Sequence, residues 1–326
     1  MKKLNLLLMA LAACLLTFVS CEKDSELLVE KDAISTPQDL DSQGRSCSME
    51  THMEKLLADP EYRNAHQRKL KRMSEMTITR SANCTNITTL PVAVHFQGVN
   101  NPDMDCLRQL AEIQVQVLNE DYQGTNPDIG LWNSNASSFP GVNNAEACLE
   151  FCIASQNHPA GFGLNDGDLA ITFNSTSGDF VSQWSGYINI FVRANTGVLG
   201  YSPLGGSGNG DGVVVDASAF GKGLSCGGIS PNAPYDLGRT LTHEMGHYLL
   251  LDHIWGGGCG SDDAVNDTPN SSSPYFGCPN VGASTCSSTD MHMNYMDYTN
   301  DACMYMFSDG QAGRMENYVL ANLSNV

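Results

Sequence analysis

Residues 243–253 read His-Glu-Met-Gly-His-Tyr-Leu-Leu-Leu-Asp-His, and this run constrains the chain more than any other. His243 and His247 are four residues apart, so on a helix both imidazoles leave the same face one turn apart. Two such nitrogens bind one zinc ion at about 2.0–2.1 Å each. His253, six residues on, supplies a third if the helix stops after His247 and the chain turns back. Three protein ligands leave one zinc position for water, the arrangement of a catalytic rather than a structural site. Glu244 falls beside that position and can take the water's proton. A bare His-Glu-x-x-His arises by chance on many helices, but here three of the chain's 8 histidines share one segment. Gly238 to Thr242 leads into a helix expected over about 236–250, and Gly256-Gly257-Gly258 closes the element after His253.

The flanking sequence reads as a mixture of strands and helices. Leu90 to Phe96 has strand composition, and further strands are expected at about 148–154, 169–174 and 186–193. Residues 104–122 form an amphipathic helix with Leu107, Leu110, Ile113, Val117 and Leu118 on one side. Ser308, with Gln311 three residues on, makes a capping box for a last helix.

The N-terminal part is of a different kind. Lys2-Lys3 followed by the apolar run Leu4 to Val19 is a signal peptide, residues 1–20. Cys21 is either the lipidated residue of a lipoprotein-type signal or incidental to ordinary cleavage nearby. Residues 22–46 are polar and aperiodic, a tether. Met49, Met53 and Leu56 then fall at helical spacing, and Asp59-Pro60 starts a second helix with a cap and a first-turn proline. Residues 21–80 are therefore expected to be tether and helical pro-segment, and 81–326 the catalytic domain. Thr79-Arg80-Ser81 is the candidate activating cleavage site.

Charge separates the same two parts. Residues 1–80 carry 12 Lys+Arg and 12 Asp+Glu, so the whole net charge of −19 lies in 81–326. Phosphate backbones need a basic face, so nucleic acid is excluded as a partner. Acidity suits cationic peptides and calcium, although solubility alone also explains it. Ten cysteines remain beyond Cys14 and Cys21, and an exported chain uses such cysteines as disulfides. Spacing leaves the pairing of Cys84, Cys106, Cys148, Cys152 and Cys226 open.

The zinc segment resembles the long signature of the metzincins, most closely that of the pappalysin family. Leu118 to Tyr122, Leu199-Gly200-Tyr201, Asp211 to Val214, Met293 to Tyr298 and Cys303 to Phe307 resemble further stretches of that family, so the likeness covers roughly 90–320. It implies an α/β (α+β) fold: a twisted, mostly parallel sheet with a backing helix and the zinc helix, above an irregular lower subdomain with a C-terminal helix. It implies the disulfides Cys259–Cys286 and Cys278–Cys303, Met296 as the floor beneath the metal, and Tyr298 as a hydroxyl for the developing oxyanion. One position departs. Leu250 stands where the family has Gly, and a leucine forced to positive φ costs about 1–2 kcal/mol. The placement of His253 depends on that turn.

Other residues have two readings each. Asp262, Asp263, Asp267 and Thr268 crowd oxygens into a Gly-rich loop that is either a calcium site, as the resemblance favours, or a solvated run. Asp301 lies where the family builds its main specificity pocket, where a carboxylate would favour Arg or Lys immediately after the scissile bond. Cys47 is either a thiolate that occupies the open zinc position before maturation, or a member of the disulfide set. The expectation is an exported or cell-surface zinc endopeptidase, made latent, acting on proteins or peptides through Glu244-assisted attack of zinc-bound water. Its membrane contact is at most a lipid anchor on Cys21. The rival readings are a surface adhesin with a vestigial metal site and a hydrolase of non-peptide amides or esters.

Overall fold

The computed structural model describes residues 44–76, 84–99, 103–173, 178–323 and 325–326. The signal peptide, Cys21, the tether to residue 43 and the cleavage site at 79–81 lie outside them.

Five of the elements form the body of one sheet. Strands β1 (Thr88–Phe96), β2 (Leu149–Ile153), β3 (Ile171–Phe173), β5 (Ile188–Arg193) and β7 (Asn209–Asp216) pair in parallel. β4 (Phe180–Ser185) and the two-residue β6 (Gly200–Tyr201) pair with β7 antiparallel. The sheet is mostly parallel, as expected. In β1, Val92, Ala93, Val94 and Phe96 are all fully buried, an apolar run interrupted only by the buried His95, as in a strand covered on both faces. β4 escaped sequence reasoning because its edge position leaves four of its six residues exposed, Phe180 among them, with no period-two pattern.

Helix α3 (Met104–Tyr122) runs behind the sheet, with Asp103 capping it by accepting from the Cys106 N–H at 3.2 Å. Its buried stripe is shifted from the expected one. Ile113 is only half-buried, whereas Gln114 is wholly buried. The reason is polar, not apolar: Gln114 accepts from the Gly221 N–H at 2.6 Å and donates to the Gly238 carbonyl at 3.1 Å. It thereby ties α3 to the residue that starts the zinc helix. After the short α4 (Gly130–Asn135), the next helix is α5 (Arg239–Tyr248), shorter at both ends than expected. Gly238 has φ +82° and Leu250 φ +74°, so neither is helical.

Between α5 and the last helix, α6 (Asp309–Asn322), the chain is loop-rich, with one small hairpin, β8 (Ser284–Thr285) and β9 (Ser288–Thr289). The capping box on α6 is present, Ser308 and Gln311 each accepting from the other's main chain. Cys259–Cys286 and Cys278–Cys303 hold this lower region, as the resemblance implied. Cys84–Cys148 and Cys106–Cys226 are pairings that spacing had left open. Cys47 is the one free cysteine among the described residues.

Ahead of β1 stand two helices, α1 (Met49–Ala58) and α2 (Pro60–Glu75), and Asp59 caps α2 through the Glu61 N–H at 2.8 Å. They pack onto the rest of the chain. Lys69 donates to the Gly205 and Gly206 carbonyls at 2.9 and 3.0 Å, and Met49, Met53 and Met73 are buried.

Candidate active site

All ten residues of α5 are buried, so its histidines are held by packing on every side. After Tyr248 the chain reverses. Leu250 N–H bonds the His247 carbonyl at 2.9 Å, and Leu251 N–H bonds that of Gly246, also at 2.9 Å. Leu250 does take the left-handed conformation that a glycine would take freely. It is 1 % exposed, and full burial of a leucine contributes about 1.5–3 kcal/mol, which offsets a backbone strain of about 1–2 kcal/mol. Packing wins, and His253 arrives where the signature requires.

The Nε2 atoms of His243 and His253 each lie 3.1 Å from that of His247. Bonds of about 2.0–2.1 Å around a tetrahedral zinc give edges of roughly 3.3 Å, so the three nitrogens nearly match such a centre. The Cys47 sulfur joins them, all four donor atoms lying within 4.8 Å of one another. Three imidazoles and one thiol suit zinc in both donor type and number. Burial holds His243 and His247 well below the usual imidazole range, His247 at about 3. They are neutral, with lone pairs free for a metal.

Each outer ring nitrogen has its own partner. His243 Nδ1 donates to the Tyr295 carbonyl and His247 Nδ1 to the Leu251 carbonyl, both at 2.7 Å. His253 Nδ1 meets the Glu50 carboxylate at 2.9 Å, and its ring stacks on Trp255 with centroids 4.2 Å apart. Met296 lies beneath α5, as expected. A Cβ on Gly246 would come 2.5 Å from its sulfur, so the helix needs glycine there to sit on its floor.

Glu244 is 1 % exposed, and burial pushes its carboxyl up to about 8, against the pull of the Cys47 hydrogen bond and the Arg45 charge. Its Oε2 accepts from the Cys47 thiol at 3.4 Å. β6 passes so close that a Cβ on Gly200 would lie 2.8 Å from Glu244 Cγ. Glycine is required there for backbone and carboxylate to share the cleft. Residues 46–48 pair with this stretch: Leu199 N–H, just ahead of β6, bonds the Ser46 carbonyl at 2.9 Å, and Ser48 N–H the Gly200 carbonyl at 3.2 Å. Tyr298 donates its hydroxyl to the Cys47 carbonyl at 3.5 Å, with its ring 4.9 Å from that of His253.

Asp301 is fully buried and forms an ion pair with Arg45. It also accepts from the Leu237 and Arg239 N–H groups at 2.8 and 3.3 Å. Arg45 is 3 % exposed, donates to the Thr299 carbonyl at 3.1 Å and lies over the Tyr235 ring at 5.1 Å. The guanidinium of Arg45, two residues ahead of Cys47, is thus buried against the Asp301 carboxylate.

The four calcium candidates are all engaged by protein partners. Among the described residues, the group of three or more His, Cys, Asp or Glu donors arranged around one point is the Cys47–histidine cluster. Asp267 instead accepts from Ser308 Oγ at 2.6 Å and from the Gly310 N–H at 2.8 Å, serving the start of α6. Asp262 accepts from the Ala264 N–H at 3.0 Å, and buried Asp263 takes the Thr268 hydroxyl at 2.8 Å and the Val265 N–H at 3.0 Å.

Sequence reasoning missed Arg45, Glu50 and a buried polar knot behind the site. In that knot Arg239 contacts Asp128 at 3.0 Å and the Tyr295 hydroxyl at 2.6 Å, Tyr295 donates to Asp121 at 3.0 Å, and Thr242 donates to Asp121 at 2.6 Å. It fastens α3, α5 and the methionine turn together. No local pattern signals it, because Asp121 follows Asn119-Glu120 and Arg239 opens a helix of mixed polarity.

Comparison with known proteins agrees with this geometry. The peptidase family M43, described as pregnancy-associated plasma protein-A, matches residues 185–320. An extracellular metalloprotease of Arthroderma benhamiae is 30% identical over 257 residues, 75% of this chain and 78% of that protein. Extracellular metalloprotease 1 of Coccidioides posadasii is 31% identical over 215 residues, 64% of this chain and 68% of that protein. Among solved structures, mature mirolysin of Tannerella forsythia with a cleaved peptide superposes with a TM-score of 0.57 at 32% identity, over 74% of this chain and 99% of that one. A promirolysin mutant from the same organism superposes with a TM-score of 0.65 at 30% identity, over 86% and 95%.

Proposed function

The chain belongs to the pappalysin family and is a metalloendopeptidase, and from that premise we propose that it is an exported zinc enzyme, made latent, which cuts peptides before Arg or Lys. The observation that carries the reading is the convergence of His243, His247 and His253 beside Glu244, in a cleft whose pocket carboxylate, Asp301, already holds an arginine. The rival adhesin reading rested on Leu250, and the packed turn that brings His253 to the other two histidines removes its support.

His243, His247 and His253 would hold the zinc, which when bound would supply Lewis-acid polarisation and make a nearby water more acidic. Around it, the chain's own groups divide the work. Leu199 and β6 offer main-chain hydrogen bonds to an extended peptide, as they do to Ser46 and Ser48. Glu244 takes a proton at the start of the reaction and delivers it to the leaving amine. The Tyr298 hydroxyl, which reaches the Cys47 carbonyl, is within range to donate to a developing oxyanion. Asp301 receives the cationic side chain that follows the scissile bond.

The pocket is testable by itself. Removing one partner of a buried charge pair costs about 2–5 kcal/mol. Once the pro-segment has left, solvent reaches the cleft, so the low end applies. Asp301→Asn should therefore lower kcat/KM for peptides with Arg after the cut by about thirtyfold, with little change for apolar residues there. A peptide-library profile that was apolar in the unaltered enzyme would end the assignment.

Latency is supported by the wider match to promirolysin than to the mature enzyme, 86 − 74 = 12% of the chain. Export is supported by relatives named extracellular. Calcium belongs to this reading only at the Asp262–Asp263 end of the loop, where burial pushes Asp263 up to about 7 and a cation would have to displace Thr268. At a hundred times its dissociation constant a ligand stabilises by about 2.7 kcal/mol. Millimolar calcium should thus raise Tm by several degrees at neutral pH; an unmoved transition rejects calcium.

A further inference from the structure

Two of the three histidines are oriented by the catalytic domain itself, through the main-chain carbonyls of Tyr295 and Leu251. The third is oriented by a group that maturation removes. His253 Nδ1 lies 2.9 Å from Oε1 of Glu50, in the first turn of the pro-segment helix α1. We infer that Glu50 is a positioning residue for the zinc centre of the latent protein, fixing the His253 ring so that its Nε2 faces the metal. The inference rests on the zinc-peptidase reading and adds to it a second task for the pro-segment. Cys47 occupies the open position, and Glu50, three residues on, supports a ligand from outside.

Several features make this more than a chance surface contact. The bond reaches a ring only 1 % exposed, whose opposite nitrogen joins the cluster at 3.1 Å from His247. A metal-bound imidazole donates its other N–H to a carboxylate, carbonyl or water, and a carboxylate there raises the basicity of the ligand. His253 also follows the Leu250 turn, the one strained link between ligands, so it gains most from a second restraint. Trp255, stacked on the same ring, limits its tilt but offers Nδ1 no acceptor. Glu50 lies at the N-terminal end of α1, where the helix favours a negative charge, and α1 is anchored by the buried Met49 and Met53.

The test compares the uncleaved chain with its Glu50→Gln and Glu50→Ala forms. Zinc affinity is read by competition with a chromophoric chelator, and ligand geometry by cobalt(II) substitution. Loss of such an outer partner typically weakens metal binding by 10–100-fold. Glu50→Ala should raise the zinc dissociation constant about tenfold and shift the cobalt d–d bands, while the sulfur-to-cobalt band from Cys47 persists. Glu50→Gln keeps an oxygen acceptor and should fall between. An unchanged affinity with the sulfur band intact overturns the inference. So does loss of the sulfur band in Glu50→Ala, because Glu50 would then act by docking Cys47, not by orienting His253. Casein hydrolysis by the matured unaltered protein is scored separately: its absence counts against the peptidase reading and leaves the zinc comparison standing.

Discussion

Glu244→Ala should leave a folded protein that binds zinc with undiminished stoichiometry and has lost peptide hydrolysis by a factor of about a thousand or more. Glu244 is not one of the four donors that surround the metal position, so ligation does not depend on it. Its carboxylate faces the Cys47 sulfur, the fourth donor of the cluster, whose place water would take in the proposed matured form. Proton transfer by a positioned group contributes about 10²–10⁴-fold, and in the proposed reaction one residue both accepts and returns the proton, so the upper part of that range is expected. The control is Glu244→Gln, which keeps the volume beside Gly200 and loses only the base; it should be as inactive as the alanine form. Metal analysis with a quenched-peptide assay on matured protein decides the matter. Turnover within tenfold of the unaltered enzyme, with zinc bound, would remove Glu244 from the mechanism.

What could be read without coordinates was set by how local each signal is. The His243–His247 spacing is fixed by one helical turn, and the Ser308–Gln311 cap by three residues, so both were legible. His253 depended on a turn that Leu250 makes at φ +74°, and only burial explains why a leucine holds it. The Asp301 pocket was suggested by family likeness, but its occupant, Arg45, lies 256 residues away in the chain. Nothing in the periodicity of a polar tether points to such a contact. The acidic loop shows the opposite case. Asp267 is adjacent in sequence to the acidic loop yet serves the start of α6, because a buried hydroxyl and an open helix N-terminus compete for its oxygens. Composition gathers residues by neighbourhood, whereas ligands are gathered by direction.

The second large effect concerns latency. Cys47→Ala in the uncleaved chain should turn a silent precursor into one with measurable peptidase activity, a rise of about a hundredfold. Zinc binding at structural sites is worth about 10–16 kcal/mol over four ligands, so one ligand accounts for about 3 kcal/mol. At about 1.4 kcal/mol per factor of ten, that is enough to open the metal in a large fraction of molecules. Two restraints remain after the change and keep activity below that of the matured enzyme. Arg45 stays paired with Asp301, and Ser46 and Ser48 stay bonded along β6. Arg45→Ala alone should give a smaller rise, because the thiol still covers the metal while the pocket empties. The two residues belong to one strap and are two positions apart, so their effects should exceed the sum of the single changes when combined. The decisive measurement is the initial rate of the uncleaved chain on a short peptide, with its length verified by mass before and after. A Cys47→Ala precursor as silent as the unaltered one would show that the strap alone blocks the cleft and that the sulfur is a bystander.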